Sequence, residues 1–448
     1  MIYDTIAAIA TAPGVGAIHV IRLSGPTAID LADGLFQGAN LRQSESHKVH
    51  YGHIVHQGEV LDEVLLTVFR APRTFTAEDV VEISAHGGTY VASRILEALV
   101  AVGARLAEPG EFTRRAYLNG RIDLTQAEAI KDIIEAKSAS QLSIAQSALS
   151  GTLRKQVEAM QSDLLDTIAA IEVHIDYPEY DDAETVTTDL ALTKATLLKK
   201  AIDQAIESAA TGTILREGIK TVIVGTPNVG KSSLLNSLLK EDKAIVTDIS
   251  GTTRDLIEGE FRLGSLLIRL IDTAGIRETS DTVEKIGIER TKKAMSEADL
   301  ILLVLDRSRL LTKDDEALLA MTKGRKRILV GNKSDLDVRL ELENETIVPV
   351  SARNGIGLDK LEAAVKEALR LPQNEDPGRL FANVRHIGKL REASAALGEA
   401  IASATSKLPV DMVEIDLKHA WTALGSITGE QATDDLIEAL FSKFCLGK

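Results

Sequence analysis

One stretch of the sequence has the residue types and the spacing needed to hold phosphate groups. Residues 225–232 read Gly-Thr-Pro-Asn-Val-Gly-Lys-Ser and match the pattern G-x-x-x-x-G-K-[ST]. They follow the apolar run Thr221–Val224 and precede residues 233–239, whose apolar side chains have helical spacing. A strand, a glycine-rich loop and a helix in this order bring backbone N–H groups and a helix N-terminus to face phosphates. Lys231 adds a positive charge and Ser232 a ligand for Mg²⁺, so the pattern predicts a nucleotide site rather than a capped tight turn.

Short polar motifs follow further apolar runs of the predicted sheet. These motifs are Asp272–Gly275 after Leu266–Ile271, Asn332–Asp335 after Arg327–Gly331, and Ser351–Arg353 after Ile347–Val350. Asp335 can accept hydrogen bonds from the N1–H and N2–H₂ groups of guanine, which adenine lacks, and a backbone N–H of residues 351–353 can reach guanine O6. The sequence therefore predicts a GTP-binding domain. Its expected nucleotide contacts are Asn228, Val229, Gly230, Lys231, Ser232, Ser233, Asp272, Thr273, Ala274, Gly275, Asn332, Lys333, Asp335, Ser351, Ala352 and Arg353.

The residue that would orient the attacking water is not at its usual place. Ras-like GTPases carry a glutamine directly after Asp-x-x-Gly, and here that position is Ile276. An apolar side chain cannot orient water, so a carboxylate or amide must come from elsewhere. The carboxylates that follow are Glu278, Asp281, Glu284 and Glu289. The residues alone do not select among them.

The segment 249–255 lies where the first switch of a GTPase belongs, between the phosphate loop and Asp272. Thr253 in this segment is a candidate second ligand for Mg²⁺. Asn228 offers a side-chain carbonyl inside the phosphate loop, and a monovalent cation held there could replace the charge of an arginine finger. The alternative is that Asn228 only stabilises the loop.

Composition sets limits on the class of protein. A chain of 448 residues, 44% of them apolar, is expected to form two to four globular domains. It has no run of about 18 apolar residues, so no membrane-spanning helix is expected, and Met1–Asp4 lacks the basic segment of a leader peptide. The charge of −15 and the 3% aromatic content argue against indiscriminate binding to nucleic acid. The single cysteine, Cys445, excludes an intramolecular disulfide and a cysteine-based zinc site, and a cytoplasmic location is expected.

The pattern predicts a mixed α+β domain over residues 1–117. Residues 93–102 have helical spacing, whereas the other apolar runs of this part are strand-like. The strand-like runs are Ile18–Gly25, Val49–Val55, Glu63–Phe69 and Val80–Ser84.

Helical spacing with few breakers follows over residues 118–213 and returns over 372–448, on either side of a GTPase domain at 214–371. We expect the two helical segments to pack as one domain. Thr125 is the expected N-cap of the first of these helices, with Glu128 completing a capping box. Breaks are expected at the acidic loop 177–182, the linker 372–378 and the non-helical tail 444–448.

Several longer motifs resemble those of a known family. They are Pro109–Gly120, Asp123–Ala129, Thr247–Asp255, Asp272–Arg277 and Cys445–Lys448. Together they resemble the bacterial and organellar tRNA-modification GTPases known as MnmE or TrmE. The family has a P-loop, Ras-like GTPase domain inserted in a helical domain, preceded by an α+β folate-binding-like domain used for dimerisation. The resemblance thus implies an α/β and all-α multidomain fold.

The resemblance also implies an activity, cofactors and partners. It implies a potassium-stimulated GTP hydrolase that adds an aminomethyl-type (carboxymethylaminomethyl) group to C5 of the wobble uridine of certain tRNAs. The family acts with a flavin- and NADH-using partner, called MnmG or GidA, in a heterotetramer or larger complex. The one-carbon unit comes from 5-formyl- or 5,10-methylene-tetrahydrofolate. Family members are homodimers whose GTPase domains meet when GTP and K⁺ bind, with Mg²⁺ on the nucleotide.

Site residues follow by motif position. The folate contacts implied are Arg22, Glu82, Arg121 and Lys448. The K⁺ ligands implied are Asn228, Thr247, Ile249 and Thr252, of which Thr247 and Thr252 also join Thr253 among the nucleotide contacts. Glu284 matches the family's water-orienting glutamate.

This chain departs from the family pattern at two of these positions. Arg121 stands where lysine is common, which keeps the charge but changes the contact geometry. Leu446 stands where isoleucine is common. Cys445 in the same tail has two interpretations, a part in the modification chemistry or a small buried apolar residue.

A rival function of another class is a purely regulatory GTPase, such as one that acts in ribosome assembly. A second GTPase domain or an appended RNA-binding domain would favour that function. The folate-like N-terminal domain and the terminal Cys-x-Gly-Lys motif favour the modification enzyme.

Overall fold

The computed structural model describes residues 4–176, 183–243, 259–271, 292–343, 345–371 and 381–447. The chain divides into two units, Met1–Lys131 with Thr428–Lys448, and Asp132–Ile427. The sequence placed all of residues 372–448 in the helical domain, whereas Thr428–Lys448 belong here to the first unit. The expected loop at 177–182 and linker at 372–378 lie outside the described residues.

The strands, in chain order, are β1 (Ile6–Ile9), β2 (Ile18–Ser24), β3 (Phe36–Gln37), β4 (Lys48–His56), β5 (Glu59–Phe69), β6 (Val80–His86), β7 (Arg105–Leu106), β8 (Ile219–Val224), β9 (Glu260–Leu263), β10 (Leu266–Leu270), β11 (Leu300–Asp306), β12 (Arg327–Asn332) and β13 (Ile347–Pro349).

The helices, in chain order, are α1 (Ala28–Leu35), α2 (Thr89–Ala101), α3 (Glu111–Leu118), α4 (Leu124–Glu135), α5 (Ala139–Leu149), α6 (Thr152–Asp176), α7 (Ala183–Glu217), α8 (Lys231–Lys243), α9 (Lys313–Thr322), α10 (Leu358–Ala368), α11 (Val384–Thr405), α12 (Val410–Thr428) and α13 (Asp434–Phe441). A 3₁₀ helix covers Leu41–Gln43, and residues 292–297 are also helical.

The first unit is built on a sheet with the strand order β3-β4-β5-β6-β2-β1-β7. The pairs are antiparallel except for β1 and β7, and the strands predicted from the sequence are confirmed. Ile21 of β2 and Ile83 of β6 are buried in a core that also contains residues of α1 and α2. Successive side chains of a strand point to opposite faces. Arg22 and Glu82 therefore lie on the face away from that core, and they are direct partners in the β2–β6 register.

The prediction that Thr125 caps α4 with Glu128 is wrong. The helix begins at Leu124, and Asp123 is the capping residue. The Asp123 carboxylate accepts the Gln126 backbone N–H at 2.9 Å, and the Gln126 side chain accepts the Asp123 N–H at 3.1 Å. Asp123 also accepts the Thr125 hydroxyl at 2.6 Å. The carboxylate takes the cap because its oxygen can satisfy the backbone and the hydroxyl together.

Residues 428–447 complete the first unit. Ile437 and Phe441 of α13 lie in one apolar cluster with Ala116 of α3 and Leu124 of α4. The non-helical tail predicted after this helix is confirmed for residues 444–447. It runs beside β1, where Gly447 has a φ of +84° and a Cβ would come within 2.5 Å of the Ile9 carbonyl oxygen. Only glycine fits this backbone without displacing the tail.

The second unit contains a sheet with the order β13-β12-β11-β8-β10-β9. All its pairs are parallel except β9 with β10. Every residue of β11 is buried, as expected for a parallel strand covered on both faces. Because parallel strands end at the same edge, the loops after β8, β11, β12 and β13 all lie at one edge of the sheet.

Helices before and after this sheet in the chain share one core. Leu164 of α6 and Ile202 of α7 belong to the same apolar cluster as Leu397 of α11 and Leu424 of α12. The predicted fold class, a GTPase domain inserted in a helical domain and preceded by an α+β domain, is confirmed. No helix in the part of the chain that the structure describes is long and apolar enough to span a membrane.

Candidate functional site

The phosphate loop follows β8 at the centre of the second sheet, and α8 begins at its lysine. The Lys231 ammonium donates to the carbonyls of Gly225 and Thr226 at 2.7 and 2.9 Å. Burial lowers the pKa of Lys231, since the charged form loses solvation. The loop thus holds a partly buried cation where phosphate oxygens would take the place of carbonyls. Ser232 and Ser233 follow in the first turn of α8, with exposed side chains.

Left-handed backbone at two positions gives the loop its shape. Asn228 has a φ of +64° and Gly230 a φ of +97°. Asn tolerates this region better than most residues, and glycine adopts it freely. A Cβ on Gly230 would come within 2.2 Å of the Asn332 side-chain nitrogen, so the glycine also admits a neighbouring loop.

Asn332 joins the phosphate loop to the loop after β13. Its side-chain N–H donates to the Val229 carbonyl at 2.8 Å, and its side-chain oxygen accepts the Ala352 N–H at 3.1 Å. The structure therefore brings Asn228–Ser233, Asn332 and Ser351–Arg353 to one edge of the sheet, as the sequence predicted.

Asp335 is the candidate guanine-binding carboxylate. Its side chain is exposed at this edge and accepts the Ser351 hydroxyl at 2.6 Å. That hydrogen bond is the main reason that the pKa of Asp335 lies below its usual value, with a smaller contribution from Arg353. The group is ionised at neutral pH and fixed in orientation, as an acceptor for two guanine N–H groups must be.

Sequence reasoning assigned no role to four residues at this edge, Thr226, Asp306, Arg309 and Asp315. The Thr226 hydroxyl donates to Asp315 at 2.7 Å and accepts from Arg309 at 3.1 Å. Arg309 also donates to Asp315 at 2.7 Å, while Lys333 pairs with Asp306 at 2.5 Å. The signal available in the sequence was the capping pattern Thr312-x-x-Asp315, which predicts a helix start but says nothing about the phosphate loop.

Asp315 is a buried charge with hydrogen bonds from several neighbours. Burial by itself would raise its pKa, but hydrogen bonds from Arg309, Thr312 and Thr226 outweigh this and lower the pKa to about 2. The residue is 1% exposed and remains ionised throughout the physiological range. It thus ties the phosphate loop to the N-terminus of α9.

Other predicted residues of this site lie outside the described part of the chain. They are Thr247, Ile249, Thr252, Thr253, Asp272, Thr273, Ala274, Gly275, Glu278, Asp281, Glu284 and Glu289. Their roles stay predictions, and so does the choice among the four carboxylates.

A second group of predicted residues lies together in the first unit. Arg22 and Glu82 form an ion pair at 2.7 Å, and Arg22 also reaches the Gly447 carbonyl at 3.5 Å. The tail that carries Lys448 therefore lies beside the pair, although Lys448 itself is not among the described residues. The Phe75 ring connects this pair to Arg121, because the Arg22 and Arg121 guanidinium carbons lie 5.6 and 5.3 Å from its centroid.

A cavity of about 410 Å³ lies on the Arg121 side of Phe75. Its lining residues are His47, Phe69, Arg73, Thr74, Phe75 and Arg121. Arg121 is fixed at the rim, since it donates to the Phe75 carbonyl at 2.8 Å. Except for Arg121, none of these residues was singled out in the sequence.

A buried arginine holds the loop that carries Phe75. Arg115, 1% exposed, pairs with Asp4 at 2.7 Å, Glu111 at 3.0 Å and Glu78 at 3.2 Å. Asn119 donates to the Thr76 carbonyl at 2.7 Å. The long motif at residues 109–120 thus has a structural explanation: it fixes the 74–78 loop against the sheet.

Cys445 is exposed. The interpretation that it is a small buried apolar residue is therefore wrong. A part in the modification chemistry stays a prediction.

The parallel sheet, the phosphate loop and the Asn332–Asp335 motif define the second unit as a P-loop protein of the GTPase class. Family models match most of the chain, the TrmE GTP-binding protein N-terminus at residues 5–121 and the MnmE helical domain at 124–445. The chain belongs to the MnmE family of tRNA modification GTPases.

Relatives of the same family match over the whole chain. The tRNA modification GTPase MnmE of Listeria innocua is 51% identical over 458 aligned residues, with 100% of each chain covered. The MnmE of Levilactobacillus brevis is 50% identical over 460 aligned residues, covering 100% of this chain and 98% of its own.

Solved structures match over part of the chain. A point variant of Era from Aquifex aeolicus, bound to GDP.AlF4-, is 29% identical, covering 40% of this chain and 66% of its own, with a TM-score of 0.25. The FeoB G-domain of Methanococcus jannaschii is 22% identical, covering 34% of this chain and 98% of its own, with a TM-score of 0.25.

Proposed function

We propose that the protein hydrolyses GTP and couples hydrolysis to modification of the wobble uridine of certain tRNAs. The observation that carries the GTPase part is the Asn332 side chain, which bonds the phosphate loop on one side and the guanine-recognition loop on the other. A phosphate cradle and a base-reading carboxylate held at one sheet edge suit a guanine nucleotide. Full-length relatives named as tRNA modification GTPases support the rest.

Each described residue of the site has a role in GTP binding. Lys231 exchanges its carbonyl partners for phosphate oxygens, and the loop amides around Gly230 donate to the same phosphates. Asp335 accepts the guanine N1–H and N2–H₂ groups, and a backbone N–H of residues 351–353 donates to O6. The exposed Asp335 and its Ser351 partner support this assignment.

The hydrolytic step needs groups that residues 225–233 do not supply alone. Glu284 orients the attacking water in our proposal, because Ile276 cannot do so. Ser232 and Thr253 would bind Mg²⁺, and Asn228, Thr247, Ile249 and Thr252 would bind K⁺. When bound, these cations neutralise negative charge on the phosphate oxygens. Asn228 lies in the phosphate loop with an exposed side chain, which supports this assignment.

The first unit binds the one-carbon donor, 5-formyl- or 5,10-methylene-tetrahydrofolate, in this proposal. Glu82 can accept the N3–H and 2-amino hydrogens of a pterin, while the ion pair with Arg22 keeps the Glu82 carboxylate in place. Arg121 and Lys448 provide positive charge nearby. The juxtaposition of Arg22, Glu82 and the Gly447 carbonyl supports this assignment.

We further propose that the protein works in the cytoplasm as a homodimer. An MnmG/GidA-type FAD protein would be the partner in a heterotetramer or larger complex, and tRNA the substrate. The product would carry an aminomethyl-type, carboxymethylaminomethyl, group at C5 of the wobble uridine.

Nucleoside analysis tests this function. tRNA from a strain without the protein is expected to lack the C5 substituent, and a wild-type copy should restore it. A copy with Lys231→Ala should not restore it, because the phosphate loop loses its cation. A growth defect in that strain with the wobble uridines still fully modified would instead favour the purely regulatory GTPase.

A further inference from the structure

The loop that follows β11, residues 306–312, begins beside the Asn332–Asp335 motif at the nucleotide edge of the second sheet. Asp306, the last residue of β11, is the register partner of Asn332 in β12. The next residue, Arg307, donates its backbone N–H to the Asn332 carbonyl at 3.0 Å. The start of this loop and the start of the motif are therefore held together along the backbone.

Asp306 is a buried carboxylate with a cation at hydrogen-bond distance. Its side chain is 7% exposed and accepts the Lys333 ammonium at 2.5 Å. Ser308 donates to the other carboxylate oxygen, at 2.9 Å from its backbone N–H and 2.6 Å from its hydroxyl. Burial by itself would raise the pKa of Asp306, but the hydrogen bonds from Lys333 and Ser308 outweigh this and lower the pKa. The carboxylate is therefore charged at neutral pH, and both its oxygens are fixed.

Lys333 has a backbone conformation that favours glycine. Its φ is +62°, in the left-handed region where a residue with a Cβ is strained. This turn separates Asn332, whose side chain bonds the phosphate loop, from the exposed Asp335. The ion pair with Asp306 anchors the end of the Lys333 side chain and so opposes relaxation of the turn. It therefore contributes to the placement of the Asp335 carboxylate.

Residues further along the chain bond the phosphate loop instead. Arg309 and Asp315 both bond the Thr226 hydroxyl. The Arg309 guanidinium lies between two carboxylates, 2.7 Å from Asp315 and 4.0 Å from Asp306. The shorter distance is a hydrogen bond, whereas 4.0 Å is too long for one. Asp306 and Asp315 therefore contact separate halves of the site, the base-reading half and the phosphate-binding half.

We propose that Asp306 is a positioning residue for guanine recognition, and that it acts through Lys333 on the placement of the Asp335 carboxylate. This inference rests on the proposed function, in which Asp335 accepts the guanine N1–H and N2–H₂ groups. Asp306 itself does not bind the nucleotide, because its two oxygens are taken by Lys333 and Ser308. A carboxylate with a merely structural role would stabilise the domain without changing which base is preferred. A positioning residue changes that preference.

Competition titrations of the full-length protein with GDP and inosine diphosphate (IDP) test the assignment. IDP lacks the 2-amino group, so the ratio of the IDP to the GDP dissociation constant measures how well Asp335 accepts that group. The wild type should bind GDP about tenfold or more tightly than IDP, because IDP forgoes a charged hydrogen bond. Asp306→Asn keeps the size of the side chain but not the charge that holds Lys333. It should weaken GDP about tenfold and IDP about twofold, which lowers the ratio about fivefold.

Two further variants show that the effect belongs to Asp306. Asp299→Asn is the matched control, because Asp299 precedes the opposite end of β11 and accepts the Lys220 N–H at 3.0 Å, away from the nucleotide edge. It should leave both dissociation constants unchanged. Thr226→Val should weaken GDP and IDP by the same factor, since Thr226 belongs to the phosphate-binding half.

A double-variant cycle shows whether Asp306 acts through Lys333. In a Lys333→Met background the ion pair is already absent, so Asp306→Asn should change the ratio no further. If Asp306→Asn does not fold, Ser308→Ala takes its place. Loss of the hydroxyl that orients Asp306 should lower the ratio about twofold.

The outcomes separate the inference from the function on which it rests. If the wild type binds neither nucleotide, or binds GDP and IDP equally, the reading of the base by Asp335 fails. If the wild type discriminates but Asp306→Asn, or Ser308→Ala in its place, leaves the ratio unchanged, the inference is refuted while guanine recognition stands. An equal fall of the ratio with and without the Lys333 side chain would also refute it, since Asp306 would then act by another route.

Discussion

The Thr226 side chain can keep the phosphate loop in place while the Lys231 ammonium changes its hydrogen-bond partners. In the structure the Lys231 ammonium donates to the Thr226 carbonyl, and the Thr226 hydroxyl bonds Asp315 and Arg309. In the proposed function, Lys231 leaves these carbonyls for the phosphate oxygens of the nucleotide. The hydroxyl then remains as the tie between this part of the loop and α9.

Thr226→Val should remove that tie without changing the volume of the side chain. We expect faster release of fluorescent GDP, by about tenfold or more, because a hydrogen bond to a buried charged group is worth about 1.5 kcal/mol or more. Thr226→Ser keeps the hydroxyl and should restore the rate. Stopped-flow dissociation gives the comparison, and equal rates in all three proteins would show that the loop does not depend on Asp315.

Asp335→Asn should change which base is read. The amide replaces an acceptor with a donor, so xanthine, which carries a carbonyl where guanine has its amino group, becomes the better partner. We expect the preference for GTP over xanthosine triphosphate to fall by about a hundredfold in competition binding. A variant that still prefers GTP as strongly as the wild type would mean that another group reads the base.

Helix α4 begins at Leu124, earlier than the predicted N-cap Thr125 allows. Asp123 and Thr125 are both good N-caps, and each has a Gln or Glu three positions later. The sequence pattern was therefore ambiguous, and burial of Thr125 against the Asp123 carboxylate decided the choice.

Asp123→Ala should loosen the start of α4 locally. The cap contributes about 1 kcal/mol, so the amides of Gln126 and Ala127 should exchange about fivefold faster with deuterium. Gln126→Ala removes only the reciprocal bond and should have a smaller effect. If both variants leave exchange in this turn unchanged, the cap is not what fixes the helix start.

The sequence could predict those features that depend on residues close together in the chain. Strands, the phosphate loop and the motifs from Asn332 to Arg353 depend on short stretches, and their meeting at one sheet edge follows from parallel pairing. Contacts between distant segments could not be read this way. Thr226 and Asp315 are 89 positions apart, and Arg22 and Gly447 are 425 apart. Their pairing depends on which loops pack together, which no local pattern encodes.

At the scale of the first unit, the tail contributes to a site built by residues far from it in sequence. Gly447 is confined beside β1, and its carbonyl reaches Arg22 of the Arg22–Glu82 pair. The position of the tail and the geometry of the proposed folate site should therefore change together.

Gly447→Ala tests that dependence. The added methyl group would meet the Ile9 carbonyl at 2.5 Å, so the tail must move away from the pair. We expect affinity for 5-formyl-tetrahydrofolate to fall by about tenfold or more, since the Arg22 contact to the tail is lost. Leu446→Ala is the matched control, because that side chain is 56% exposed and should tolerate the change. Equal losses in the two variants would indicate that the tail position is unimportant.

The first unit is made of two segments that lie far apart in the chain, and this has a consequence for its synthesis. Residues up to Lys131 leave the ribosome about 300 residues before those from Thr428 onward, which at ~5–20 residues per second is a delay of roughly 15–60 s. During this time Ala116 and Leu124 lack the cover of Ile437 and Phe441. The nascent N-terminal part therefore displays an apolar surface while the GTPase domain is being made and folded. During this interval the surface is accessible to a chaperone that binds apolar segments. A chain that ended before residue 428 would leave the surface uncovered.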